Sequence, residues 1–302
     1  MGLEVLIVGS GSALPTISAN QTSQVITCGN QSFLVDCGEG TQVQLRKNKV
    51  KIQNINHVFI SHLHGDHFFG LVGLLSTMHL LGRRADLEIH GPKGLDEIVE
   101  IQFRNAGNNL SFNMLFNTVE KSGLILYEDN KLTIKSIPLK HRIPCFGFHF
   151  QEKKGLRKLD GHKLVKHDIP IYARKSIAEG LDFRSDEGVV IKNSELTFDP
   201  VSPTSYAFCS DTAYYEKLIP FIKNVDLLYH EATFLESERD RAKKTFHSTA
   251  KDAASIALQA NAGKLILGHF SNRYKNKDGF LQEARPVFKN TSVAKEGEVF
   301  KV

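Results

Sequence analysis

Residues 61–70, SHLHGDHFFG, place His62, His64, Asp66 and His67 within six positions, directly after the apolar run HVFIS. Four metal-ligating side chains at offsets of two, two and one require a backbone that turns them onto one point, which constrains the fold more than any other stretch of the chain. A single histidine is most often a core or surface residue. With 13 His among 302 residues, chance produces such a string in on the order of one chain in a thousand. Catalytic zinc takes three protein ligands and keeps one position open. Four candidates are therefore too many for one ion and too few for two, so more ligands must come from elsewhere in the chain.

The pattern of apolar residues shows where they could come from. VLIVG, SQVIT and SFLVD read as strands, the last two joined at a Gly29-Asn30 turn, and NHVFIS is the strand that leads into the cluster. GTQVQLRKN, FFGLVGLLSTMHLLGR and GLDEIVEIQF read as helices, the last following the strand LEIH. GLILYEDNKLTIKSIPL is a hairpin turning at Asp129-Asn130. Later come strand YAFCS, helix YYEKLIPFIK, strand DLLYH, helix STAKDAASIALQANA with a capping box in Thr249 and Asp252, and strand KLILGH. Strands dominate the first half and alternate with helices afterwards, which predicts an α/β protein with sheets covered by helices. His141, Asp211, His230 and His269 each stand directly after such a strand. Strand ends share one rim of a sheet, where α/β proteins bind ligands, so these residues are candidates for the missing coordination. GSGSAL, residues 9–14, is not a dinucleotide fingerprint: Leu14 stands where glycine is needed, and Pro15 follows where a helix would start. Its glycines read as a tight loop.

At 41% hydrophobic and 24% charged, the chain has the composition of a globular protein. Cys28, Cys37, Cys145 and Cys209 are scattered with no C-x-x-C pair, which excludes a thiolate zinc motif and suits a reducing cytoplasm. No apolar stretch approaches a membrane span, and the N-terminal apolar run is too short for a signal sequence, so a soluble, cytoplasmic protein is expected. The net charge of +5 is concentrated in residues 151–175, where Lys153, Lys154, Arg157, Lys158, Lys163, Lys166, Arg174 and Lys175 face only Glu152, Asp160 and Asp168. Such a segment is either a solvated insertion or an arm that holds a polyanion through its phosphates.

SHLHGDH resembles the signature of the metallo-β-lactamase superfamily. The wider set, DCGEGTQ, HLHGDHFFGL, LLGR, HRIPCFGF, CSDT, LYHEATF, HST and LGHFSNRY, resembles the ribonuclease Z family, endonucleases that mature tRNA 3′ ends. The resemblance runs from about Gly9 to Tyr274. It implies an αββα sandwich of two mixed β-sheets flanked by helices, a single domain over 1–302 with a protruding basic arm inserted at 151–180. It implies two Zn2+ per subunit: His62, His64 and His141 on one, Asp66, His67 and His269 on the other, and Asp211 bridging them. Asp66 resembles the family's proton acceptor, and His247 of HST, held by Glu231 of HEATF, is the candidate proton donor to the departing ribose oxygen. The arm, with its lysines and arginines, would grip precursor tRNA, and the family is usually homodimeric. His230 is read as structural, and His57, His79, His90, His149, His162 and His167 are unassigned. Two departures stand out. The loop after the first strand reads PTISAN where the family commonly has PTKxRN, and Pro170 is followed by Ile171 instead of the usual Gly-Pro. The competing expectations are a hydrolase of small esters, thioesters or phosphodiesters on the same scaffold, and an RNA-binding module that keeps metal ligands for stability.

Overall fold

The computed structural model describes residues 2–17, 19–107 and 109–302. The chain forms two compact units, one made of Met1–Gln151 with Thr204–Val302 and the other of Glu152–Pro203. No helix among the described residues is long and apolar enough to cross a membrane.

The first unit contains two seven-stranded sheets. The first runs, from one edge to the other, Val299–Lys301, Leu3–Gly9, Ser23–Cys28, Gln31–Val35, Ile55–Phe59, Leu87–Gly91 and Met114–Thr118. Its pairings are antiparallel as far as Gln31–Val35 and parallel beyond. The second runs Thr291–Val293, Lys264–Gly268, Leu227–Glu231, Ser205–Cys209, Phe146–Glu152, Leu132–Pro138 and Ile125–Glu128.

Side-chain alternation along the strands sorts residues between two hydrophobic clusters. Ile7, Phe33, Val35 and Phe59 point inward and meet Phe148, Phe150, Tyr206 and Phe208 of the second sheet. The rings of Phe59 and Phe148 lie 5.3 Å apart, and those of Phe33 and Phe150 lie 6.0 Å apart. Their neighbours Val8, Leu34 and Val58 point the other way, onto Leu45, Leu71, Leu74, Leu75, Met78 and Val99 of the helices Thr41–Lys47, Leu71–Leu80 and Leu95–Asn105. Helix Ala250–Gln259 covers the second sheet through Ala253, Ala254 and Ala257. The result is the αββα sandwich, and each fully buried Phe or Leu contributes about 1.5–3 kcal/mol to it. The capping box of Ala250–Gln259 is formed. YYEKLIPFIK is not an α-helix: Glu216–Phe221 is a 3-10 segment, because Pro220 offers no N–H and its ring clashes with the preceding turn.

Glu152–Pro203 is longer than the basic stretch 151–175 and than the 151–180 arm that the resemblance implies. It has a small core of its own, Leu164, Ile169, Ala173, Ile177 and Leu196. Lys158–Leu159 pairs antiparallel with Thr197–Phe198, and Phe183–Arg184 with Val190–Ile191. The Asp160 side chain caps helix Gly161–Lys166, and Asn193 Nδ2 donates to the carbonyls of Ile177 and Leu181 at 2.6 and 2.8 Å. The segment therefore needs residues up to Thr197 to close its core. The acids of its second half, from Glu179 to Asp199, bring the unit close to charge balance.

Candidate metal centre

Strand Ile55–Phe59 delivers the chain to Ser61 and His62, and the short helix Gly65–Phe68 starts from His64, whose backbone is extended. That helix turns Asp66 and His67 inward, where both are buried. Two glycines allow it to sit there. Cys37 N–H donates to the His67 carbonyl at 2.7 Å and Gly70 N–H to the Cys37 carbonyl at 2.9 Å. A Cβ on Gly70 would lie 2.1 Å from the Gly38 carbonyl oxygen, and one on Gly38 would lie 2.5 Å from that of Asp66. His141, Asp211 and His269 come from beyond strands Leu132–Pro138, Ser205–Cys209 and Lys264–Gly268, whereas His230, which the strand-end argument also offered, lies within strand Leu227–Glu231.

All seven candidate ligands gather at one place, in two groups, with Asp211 of the first also lying against the second. His62, His64, His141 and Asp211 form one group; Asp66, His67 and His269 form the other. Asp211 Oδ2 lies 3.6 Å from His62 Nε2 and 3.8 Å from His141 Nε2. Its Oδ1 lies 3.4 Å from His67 Nε2 and 3.2 Å from His269 Nε2. Asp66 Oδ2 stands 3.4 and 3.3 Å from the same two nitrogens. His64 turns Nδ1 inward, 3.0 Å from His62 Nε2 and 3.1 Å from His141 Nε2.

The other imidazole nitrogens are held, which fixes the tautomers. His67 Nδ1 donates to Asp36 Oδ2 at 2.7 Å. Ser61 Oγ donates to the same carboxylate at 2.9 Å and so accepts from His62 Nδ1 at 3.0 Å. Thr233 Oγ1 donates to Glu231 Oε2 at 2.8 Å and accepts from His269 Nδ1 at 3.0 Å. His141 Nδ1 donates to the Phe246 carbonyl at 3.0 Å. In each of these four rings the Nε2 lone pair is left facing the centre. Asp36, Thr233 and Phe246 were not among the sequence candidates. Asp36 carries the same signal as the others, since it directly follows strand Gln31–Val35. The role of Phe246 comes from its carbonyl and leaves no mark in the sequence.

Glu231, fully buried at the end of strand Leu227–Glu231, accepts from His247 Nδ1 at 2.8 Å and from the backbone N–H groups of Thr212, Thr233 and Ser248. Burial opposes protonation of His247, but the Glu231 and Asp211 carboxylates outweigh it and raise its pKa to about 9. Burial likewise opposes ionisation of Asp211, while His269, His67 and His247 hold its carboxyl well below the usual range. His230, one residue before Glu231 on the strand, faces away, and its Nδ1 donates to the Glu231 carbonyl at 2.7 Å.

The donor set fits metal ions. His67 Nε2 and Asp211 Oδ1 are buried with no hydrogen-bond partner among the described residues, and they face each other. A tetrahedral ion bound at about 2.0–2.1 Å holds its ligand atoms roughly 3.3 Å apart, close to the spacings seen in both groups. A cleft of about 700 Å³ opens over the centre and is lined by His64, Asp66, His141, Asp211, His247 and His269. Leu14 and Phe69, both exposed, and Arg142 also line it.

The eight basic candidates lie apart in sequence, in Glu152–Pro203. Lys154, Lys158, Lys163, Lys166 and Lys175 are exposed, and Lys153 and Arg174 are half-buried. Arg157 is tied down by Thr197 Oγ1 at 2.7 Å and by Asp199.

Residues 3–156, half of the chain, match the family model described as Anti-Pycsar protein Apyc1. Ribonuclease Z of Bacteroides fragilis is 46% identical over 294 residues, 97% of either chain. The crystal structure of human tRNase Z, short form (ELAC1), superimposes with a TM-score of 0.73 at 27% identity, over 98% of both chains. The metallo-β-lactamase fold protein YhfI of Bacillus subtilis gives 0.71 at 21% identity over the whole of both, a likeness of fold. By residues 3–156 the chain belongs to the family described as Anti-Pycsar protein Apyc1, and over 97% of its length it belongs to the ribonuclease Z family on the metallo-β-lactamase fold.

Proposed function

We propose that this chain is a zinc-dependent endoribonuclease that removes 3′ trailers from tRNA precursors, leaving a 3′-hydroxyl on the tRNA and a 5′-phosphate on the trailer. The observation that carries the reading is Asp211, with one carboxylate oxygen turned to each of two histidine-rich groups. His62, His64 and His141 would hold one zinc, Asp66, His67 and His269 the second, with Asp211 between them. When bound, the pair supplies positive charge to the phosphate oxygens and lowers the pKa of water, as two-metal phosphoryl-transfer sites do.

The chain's own groups supply the rest. Asp66 lines the cleft; burial opposes its ionisation, but His67 and His269 outweigh it and keep the carboxylate charged, and by resemblance to the family it is assigned to accept the proton of the attacking water. His247 carries its proton into the cleft, with Nδ1 fixed on Glu231 and Nε2 left to serve the departing ribose 3′-oxygen. Glu231 is a positioning residue. Phe69, exposed at the mouth, offers an aromatic face on which a base can stack. The exposed lysines of Glu152–Pro203 are assigned to tRNA phosphates; Arg157 serves mainly to hold that unit together. A cytoplasmic homodimer is part of the proposal on family resemblance alone.

The test is to offer the purified, metal-loaded protein a 3′-extended tRNA and a small thioester. The proposal expects rapid endonucleolytic cutting of the RNA and negligible thioester turnover. Ready thioester hydrolysis with the tRNA left whole would refute it.

A further inference from the structure

A second group of ligand-type side chains lies on the first sheet, away from the residues assigned above. His57 on strand Ile55–Phe59 pairs in register with Glu88 on strand Leu87–Gly91, and Phe59 pairs with His90. Alternation puts His57, Glu88 and His90 on one face of two neighbouring strands. Their ligand atoms fall within 4.8 Å of one another. His57 Nδ1 and His90 Nε2 approach the same oxygen, Glu88 Oε2, at 3.7 and 3.6 Å. Both distances are too long for hydrogen bonds and close to the spacing of ligands around one tetrahedral ion.

His90 is 2% exposed, and neither of its ring nitrogens has a hydrogen-bond partner among the described residues; the same holds for His57 Nδ1. Leaving a buried polar nitrogen unsatisfied costs about 1–3 kcal/mol, so two orphan nitrogens facing one carboxylate oxygen need an explanation. The rings are also fixed in place. Phe59 stacks on His90 at 4.6 Å with an interplanar angle of 10°, and Tyr127 meets the His57 ring edge-on at 4.6 Å. Glu88, 40% exposed, provides a way in from solvent.

We propose that His57, Glu88 and His90 form a separate site for a divalent transition-metal ion of the zinc type, bound through His57 Nδ1, His90 Nε2 and Glu88 Oε2. Two imidazoles and one carboxylate select zinc-like ions over magnesium or calcium, which prefer all-oxygen sets. Burial depresses the pKa of both histidines, that of His90 to about 4, which keeps them in the neutral form that ligates. The ion would clip together the two strands that lead into and flank the HLHGDH loop. The proposal does not depend on the function of the main centre.

The test is an anomalous difference map at the zinc edge from crystals of the zinc-loaded chain, with a parallel measurement on Glu88→Gln. Glu88 is exposed enough for that variant to keep its fold, and it removes one ligand while leaving the main centre untouched. A peak between His57 and His90 in the wild type, absent from Glu88→Gln, with one ion fewer per chain by metal analysis, is expected. A wild-type map with no peak there overturns the proposal. So does a peak that persists undiminished in Glu88→Gln.

Discussion

At the residue scale, the centre depends as much on what holds its ligands as on the ligands. Asp36, Ser61, Thr233 and the Phe246 carbonyl take one nitrogen of four histidines and so aim the other. Asp36, Phe246 and His269 hold φ angles of 55°, 58° and 57°, a left-handed backbone that costs about 1–3 kcal/mol at each non-glycine residue. Removing a carboxylate that orients a ligand histidine lowers metal affinity about 10–100-fold, so Asp36→Ala is expected to lose zinc to a competing chelator by that factor. Asp66→Ala is expected to abolish cleavage while tRNA affinity, measured by filter binding, stays within about twofold; near-normal turnover would remove its assigned role. His247→Ala is expected to lower kcat by about 10²–10⁴-fold with little change in KM, the signature of lost proton transfer. The sequence makes the candidate ligands legible through H-x-H-x-D-H and through histidines and an aspartate after strands. It conceals Thr233 and Phe246, which act through a hydroxyl and a carbonyl that any loop possesses.

At the element scale, strands that alternate between two apolar faces could be read directly, and so could the hairpin turn at Gly29-Asn30. Phe146–Glu152 carries the same alternation in Phe146, Phe148 and Phe150, yet it is missing from the strands read in the sequence. The edge strands Thr291–Val293 and Val299–Lys301 are too short to show a period. Helices Arg239–Thr245 and Asp278–Ala284 are mostly polar, with only one or two buried residues each. Contact between the 37–38 loop and the helix that carries Asp66 and His67 depends on Gly70, whose added Cβ would meet backbone at 2.1 Å. Gly70→Ala is therefore expected to lower both the melting temperature and the zinc affinity, read by calorimetry with and without metal. Unchanged values would mean that the helix can shift freely.

At the scale of the whole molecule, the inserted unit leaves and rejoins the sandwich at adjacent points, since Gln151 and Ser205 are register partners on antiparallel strands. A short turn can therefore replace residues 153–203 without moving either strand. That excision is expected to spare hydrolysis of a small phosphodiester, weaken tRNA binding, and flatten the dependence of binding on salt, because the exposed lysines leave with it. An unchanged salt slope would take the RNA contact away from the unit. Charge marks the first half of this segment but not the second, because the sign of the charge reverses after Lys175 while the small core runs on to Leu196. The account rests most heavily on Asp211 lying between two ions. A crystal structure of the zinc-loaded chain tests this most directly: the account predicts one ion among His62, His64 and His141, a second among Asp66, His67 and His269, and Asp211 bound to both. A single ion, or an Asp211 carboxylate turned away from either position, would contradict it.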